Sequence, residues 1–197
     1  MLYYAELTTL VSNPFDDNFQ LPELEKQQSA HLSVGLKYIN PNLRLQLQQV
    51  GLSIGGAVLF YKSKKTIGAL HSDIAWNHTT SSWQPWYTAI NWDLYNTKSR
   101  MYWYETNQFG IITAPGMIEQ SPGSYLLSGV HYGSINNVDF KDDPKYTKLD
   151  EIDIRVPTLL RTDVPHSVEN LDSQPRWCLS IRFSGNPTFD DCLARLT

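Results

Sequence analysis

Val164-Pro165-His166-Ser167-Val168-Glu169-Asn170 and, after a short break, Pro175-Arg176-Trp177-Cys178-Leu179-Ser180-Ile181-Arg182-Phe183 are the runs on which the fold of this chain turns. Along the second run the odd positions, Trp177, Leu179, Ile181 and Phe183, are apolar, and the even positions are Arg176, Cys178, Ser180 and Arg182. Side chains of a strand alternate between its two faces, so this period of two predicts a strand that packs its odd face on a core. The even face then carries two guanidinium groups spaced by small side chains, which leaves room for a bound acid. Arginine suits that task because its planar fork grips a carboxylate through two parallel hydrogen bonds. The two runs together read as a hairpin. A turn centred on Leu171 sets Arg176 opposite His166; one centred on Asp172 sets Cys178 there with Arg176 diagonal. Either keeps His166 and Arg176 on one face.

The segments upstream carry the same signal. Ala57 to Tyr61, Ile67 to Asp73, Trp86 to Leu94, Arg100 to Glu105, Ile152 to Val156 and Thr162 to Glu169 are rich in β-branched or aromatic residues and read as further strands. Short strands in such number point to a sandwich or barrel. Helix signals are confined to the first 50 residues, at Leu21 to Lys26 with Pro22 in its first turn and at Pro41 to Gln49. Leu32 to Ile39 reads as extended. Between Gly110 and Asp150, Pro115-Gly116, Pro122-Gly123, Asn136-Asn137 and Asp142-Asp143-Pro144 punctuate the chain too often for long elements, although Ser124 to Val130 is compatible with a strand. The expectation is one domain over residues 1–197: an N-terminal arm with helices (1–50), a β core (51–185) and a C-terminal tail (186–197).

His71-Ser72-Asp73 closes one of these extended runs, and positions i and i+2 of a strand share a face, so imidazole and carboxylate converge. With a distant second histidine they compose a two-histidine, one-carboxylate triad, which leaves positions of Fe(II) open; zinc prefers a more closed tetrahedral site. His166 is the candidate second histidine. The bland alternatives are a strand end with a solvated His71 and turn-forming Asp73, and a hairpin whose polar face meets water. Against them stands the joint pattern of a His-x-Asp, a late histidine and an arginine ten residues beyond it.

Composition narrows the partners. The chain has 197 residues and a net charge of −4, and its densest basic stretch is only Lys62-Ser63-Lys64-Lys65, so no nucleic-acid partner is expected. No cationic leader precedes an apolar run and no stretch reaches membrane-span length, which makes the cytoplasm the expected address and excludes a membrane partner. Two cysteines, Cys178 and Cys192, are too few for a disulfide scaffold. Eleven Tyr and six Trp outnumber seven Phe, a balance common where a protein presents a groove or packs a sandwich core.

These residues resemble the Fe(II)- and 2-oxoglutarate-dependent oxygenases, in which a His-x-Asp, a distal His and a later basic residue recur on a double-stranded β-helix. The nearest flavour is the aspartyl/asparaginyl β-hydroxylase-like group. Ala89-Ile90-Asn91-Trp92-Asp93-Leu94 and Met101-Tyr102-Trp103-Tyr104-Glu105 look like that group too, and the likeness spans roughly residues 55–185. The resemblance implies a mainly β jelly roll, His71, Asp73 and His166 as Fe(II) ligands and catalytic centre, and Arg176 as anchor of the 2-oxoglutarate distal carboxylate. Arg182 is the fallback anchor, and Asn91 and Ser180 are further co-substrate candidates. The activity implied is hydroxylation of a peptide side chain, amino acid or small metabolite. Asp73 departs from those β-hydroxylases that lack a carboxylate ligand, so the substrate does not carry over.

His78 and His131 fall in expected loops within reach of a substrate, and His31 reads as a structural or surface residue. Trp76, Trp83 and Trp86 bracket a polar loop suited to a lid. Two other functions use the same fold: a cupin-like metalloenzyme without 2-oxoglutarate, in which Arg176 is dispensable, and a non-catalytic binding or structural jelly roll that holds no metal.

Overall fold

Strands dominate the chain as its alternation predicts. A computed structural model, describing residues 1–23, 29–77, 79–113, 129–132 and 139–197, is mainly β, with 14 strands and two α-helices among the described residues. The strands are β1 (Tyr4–Glu6), β2 (Ser29–Ser33), β3 (Ile54–Lys62), β4 (Thr66–Ile67), β5 (His71–Asn77), β6 (Ser82–Pro85), β7 (Thr88–Asp93), β8 (Ser99–Thr106), β9 (Gly110–Thr113), β10 (Gly129–Tyr132), β11 (Tyr146–Asp153), β12 (Thr158–Arg161), β13 (His166–Asn170) and β14 (Arg176–Phe183). Helix α1 (Pro41–Gln49) precedes β3 and α2 (Phe189–Leu196) ends the chain. Among the described residues no helix is long and apolar enough to cross a membrane.

The strands form two antiparallel sheets. One has six strands in the order β1-β12-β7-β14-β3-β2; the other has eight, β11-β8-β13-β5-β10-β9, with β4 added on β13 and β6 on β5. Strand β14 shows how the sheets divide the molecule. Its odd residues Trp177, Leu179, Ile181 and Phe183 join Leu59, Tyr61, Ile90 and Trp92 in the main apolar cluster, which α1 covers with Leu43 and Leu47 and α2 with Phe189 and Cys192. Full burial of each such aliphatic or aromatic side chain contributes about 2 kcal/mol. The even residues of β14 face the other sheet, where the Arg182 guanidinium meets Asp73. All eight residues of β14 are buried, so its polar face does not meet water.

The helices follow local chemistry. Asn40 caps α1 by accepting the Asn42 N–H at 2.9 Å, Pro41 takes the first turn where its missing N–H costs nothing, and Leu43 and Leu47 fall on one face. This helix has the predicted bounds. The expected tail instead contains α2: Thr188 accepts the Asp191 N–H at 3.1 Å, Asp190 and Asp191 lie in the first turn and Arg195 in the last, an arrangement that complements the helix dipole.

Several expectations are corrected. The two C-terminal runs are not a hairpin. Strand β13 lies between β8 and β5, and β14 between β3 and β7, so Arg176 stands opposite Lys62 and Cys178 opposite Phe60 and Asp93. Alternation fixes which way a side chain points, not which strand lies beside it. The five residues Leu171 to Pro175 cross from sheet to sheet, braced by Asn170, whose Nδ2 donates to the carbonyls of Ser63 and Gln174 and whose Oδ1 accepts the Asp172 N–H.

The run from Ile67 to Asp73 breaks after Ile67 and resumes at His71, so His71-Ser72-Asp73 opens a strand rather than closing one. Thr162 to Glu169 begins as a strand only at His166, after Pro165, while Thr158–Arg161 is a separate strand. The strand expected at Ile152 to Val156 runs instead over Tyr146–Asp153 and stops short of Pro157. Leu32 to Ile39 leaves the extended state at a short 3-10 turn, Leu36–Tyr38. Of the helix expected at Leu21 to Lys26, residues 21–23 have no regular structure and the rest lies outside the described residues, as does most of Ser124 to Val130.

Candidate metal centre

The inner face of the eight-stranded sheet carries the histidines in a row. His166 on β13, His71 on β5 and His131 on β10 occupy matched positions on three adjacent strands. Their rings follow this order, with centroids 4.5 Å apart for His71 and His166 and 5.6 Å for His71 and His131. Asp73, two residues along β5, shares the face of His71, as strand parity requires. One ligand atom each from His71, Asp73 and His166 all lie within 4.8 Å of one another. Asp73 and His166 are buried; the His71 side chain retains 29% exposure, giving the cluster one open side.

Both imidazoles are held in the tautomer a metal needs. His71 Nδ1 lies 2.9 Å from the Ala69 carbonyl oxygen and His166 Nδ1 2.9 Å from that of Val164. A carbonyl only accepts, so each Nδ1 carries the proton and each Nε2 offers its lone pair. Each of these carbonyls belongs to the residue two positions before the ring it holds, just ahead of the strand, and at β13 the intervening Pro165 carbonyl accepts the Tyr104 N–H at 2.8 Å.

Electrostatics favours neutral rings beside an ionised carboxylate. Burial, with the charge of His166, pushes His71 down to about 4; burial also lowers His166. Burial pushes the Asp73 carboxyl upward, but Arg182, His166 and His71 together outweigh it and hold it below the usual carboxylate value. Arg182 Nη2 lies 2.6 Å from Asp73 Oδ2, while Oδ1 faces His71 Nε2 at 3.6 Å. One carboxylate oxygen is therefore held by arginine and the other is turned to the histidines. The donor set of two neutral nitrogens and one anionic oxygen suits a divalent transition metal and leaves coordination positions free.

The facing sheet supplies polar groups that its own fold leaves unmatched. Arg176 is 3% exposed; its Nε stands 3.3 Å from Asp93 Oδ2 without hydrogen-bond alignment, and its Nη2 has no partner among the described residues. Asn91 and Ser180 stand opposite each other on β7 and β14, and Asn91 Oδ1 and Ser180 Oγ are likewise buried and unpartnered. Buried polar atoms are nearly always satisfied in folded proteins, so a cluster of orphans lining one face is what a polar ligand would complete. Arg182, expected as fallback anchor, is engaged by Asp73 and lies over the Trp86 ring at 5.9 Å.

Other candidates fall differently. His131 is on a strand, not in a loop, and its Nδ1 is buried without a hydrogen-bond partner among the described residues. His31 is on β2, half-buried with its ring edge against Phe60, which agrees with a structural role; burial first, then the charges of His71 and Lys62, push it down to about 4. Trp76 and Trp83 pack edge to face at 5.3 Å as a cross-strand pair of the β5–β6 hairpin instead of flanking an irregular lid. His78 lies outside the described residues. Sequence reading missed Lys62, which passed as surface charge in Lys62-Ser63-Lys64-Lys65. Parity with Val58 and Phe60 was the available signal, since it places Lys62 on the inner face of β3. No family model matches the chain, and no curated protein matches it.

Proposed function

We propose that this chain is an Fe(II)- and 2-oxoglutarate-dependent oxygenase on a double-stranded β-helix. The observation that carries the reading is the convergence of one ligand atom each from His71, His166 and the Asp73 carboxylate within 4.8 Å on the inner face of a sheet. The strand order supports the fold: β3-β14-β7-β12 in one sheet and β5-β13-β8-β11 in the other alternate successive core strands between two sheets, except for β8 and β11, which pair in one sheet, an order compatible with a jelly roll. His71 and Asp73 then open the second core strand and His166 the seventh, with Arg176 at the start of the eighth.

In this reading His71, Asp73 and His166 hold the iron, and Arg182 keeps the Asp73 carboxylate ionised and turned toward it. Arg176, Asn91 and Ser180 receive the co-substrate. When bound, iron, 2-oxoglutarate and O2 would supply oxidative chemistry that releases CO2 and places one oxygen atom in succinate and the other in a substrate C–H bond; the protein contributes orientation, a dry cavity and charge. The substrate is an amino acid, peptide side chain or other small metabolite. Free, buried Cys178 and Cys192 agree with a reducing, cytoplasmic setting.

The test is anaerobic titration of the metal-free protein with Fe(II) and then 2-oxoglutarate, watching for the weak visible charge-transfer band of the chelate. Its appearance is the expected result. Metal binding without the band redirects the assignment to a metalloenzyme that does not use 2-oxoglutarate; no metal binding refutes both and leaves a binding or structural protein.

A further inference from the structure

We infer that Lys62 is a second anchor, beside Arg176, for the terminal carboxylate of a dicarboxylic ligand, and so selects a 2-oxo diacid over a 2-oxo monoacid. The inference deepens the oxygenase reading and rests on it for the location of the ligand's other end. Lys62 closes β3 directly opposite Arg176, the first residue of β14. Neighbours so placed share a face, with their Cβ atoms about 5 Å apart.

The Lys62 side chain reaches across to the other sheet: a Cβ built on Gly68 would stand 2.6 Å from its Nζ. Gly68, in turn, is hydrogen-bonded to β13 through the Val168 carbonyl and lies three residues before His71. Lys62 therefore spans the gap between the Arg176 end of one sheet and the strand that opens with the metal ligands.

The charge count at this end is unbalanced. Of the two cations Lys62 and Arg176, only Arg176 meets a carboxylate among the described residues, that of Asp93. That carboxylate is already occupied: Oδ1 accepts the N–H groups of Tyr95 and Thr97, and Oδ2 accepts the hydroxyls of Thr97 and Ser99 at 2.7 and 2.9 Å. Asp93 ties down the turn into β8 and leaves Arg176 Nη2 orphaned. Lys62 has no ion-pair partner among the described residues. Burial and the adjacent Arg176 charge push its ammonium down to about 8, as expected of a cation enclosed beside another cation. A carboxylate placed between them would satisfy both, with the guanidinium giving directed hydrogen bonds and the ammonium a point charge.

The experiment compares 2-oxoglutarate with 2-oxopentanoate, which has the same chain length and chelating end but no terminal carboxylate. Each is titrated anaerobically into Fe(II)-loaded wild type, Lys62→Met and Lys62→Arg, with thermal melts to establish that each variant is folded. Wild type is expected to bind the diacid at least tenfold more tightly. Lys62→Met should lose most of that preference through weaker diacid binding alone, and Lys62→Arg should keep most of it. An unchanged preference in folded Lys62→Met overturns the role of Lys62, and equal affinities in wild type overturn the acid pocket while the metal centre stands. Should neither acid produce the band, calorimetry of glutarate on the metal-free protein decides. Binding to wild type and not to Lys62→Met keeps the pocket and retires the oxygenase; no binding overturns both.

Discussion

Replacing Arg182 by Gln removes the guanidinium that stands 2.6 Å from Asp73 Oδ2, in a place where Arg182 is 5% and Asp73 4% exposed. Breaking a buried ion pair by deleting one partner costs about 3–5 kcal/mol, because it strands the remaining charge in a poorly solvating interior. For a chain of this length each kcal/mol moves the melting temperature by about 2–4 °C, so metal-free Arg182→Gln should melt about 10 °C below wild type. Two further measurements separate this cause from lost packing. The double variant Asp73→Asn/Arg182→Gln has no stranded anion, so its loss should fall short of the sum of the single losses by about 2 kcal/mol. A divalent metal should also rescue Arg182→Gln more than wild type, since the ion supplies Asp73 with the charge that the arginine no longer does. Melts by circular dichroism, with and without Mn(II) or Zn(II), read all of this. Additive losses, or a deficit that metal leaves untouched, would refute the argument that Arg182 acts through the Asp73 carboxylate.

His71→Ala and Asp73→Ala are each expected to abolish stoichiometric metal binding in equilibrium dialysis and Fe(II)-dependent succinate release, while Arg176→Ala keeps the metal and raises the 2-oxoglutarate requirement. His31 lies near 4 when folded against about 6.5 unfolded, so the unfolded chain binds more protons between these values and stability falls as pH drops through that window; His31→Gln should flatten this acid limb in melts taken from pH 7 to 4. Leu179→Ala, at a position with 0% exposure in the main cluster, should cost about 2–5 kcal/mol in urea unfolding with an unchanged denaturant slope.

The parts of this molecule that were legible in the sequence are those that depend on one strand or one turn at a time. The faces of β14, the sharing of a face by His71 and Asp73, and the Asn40-Pro41 start of α1 follow from local periodicity and capping. Neighbour relations were not legible, because β13 and β14 satisfy the same alternation whether they pair with each other or each enters a different sheet. Thr158–Arg161 was missed for a related reason: Thr-Leu-Leu-Arg, buried throughout, has no alternation to read. Part of the candidate triad could be assembled from spacing, because His71 and Asp73 keep parity along one strand, while His166 joins them across the β13–β5 pairing. Lys62 could not, because its meaning depends on Arg176 standing across the sheet more than a hundred residues later.

The place of β14 between β3 and β7 has a consequence for how the chain is made. A central seat of the six-stranded sheet is filled by β14, which follows all its sheet partners in chain order among the described residues, and β13, which brings His166, comes just before it. Until then the edges of β3 and β7 are open and the long loops between their partners unclosed, a topology that folds slowly and exposes pairing edges meanwhile. A chain cut before β13 holds His71 and Asp73 but neither His166 nor Arg182. The three residues of the candidate centre therefore come together only once β13 has been made and seated between β5 and β8.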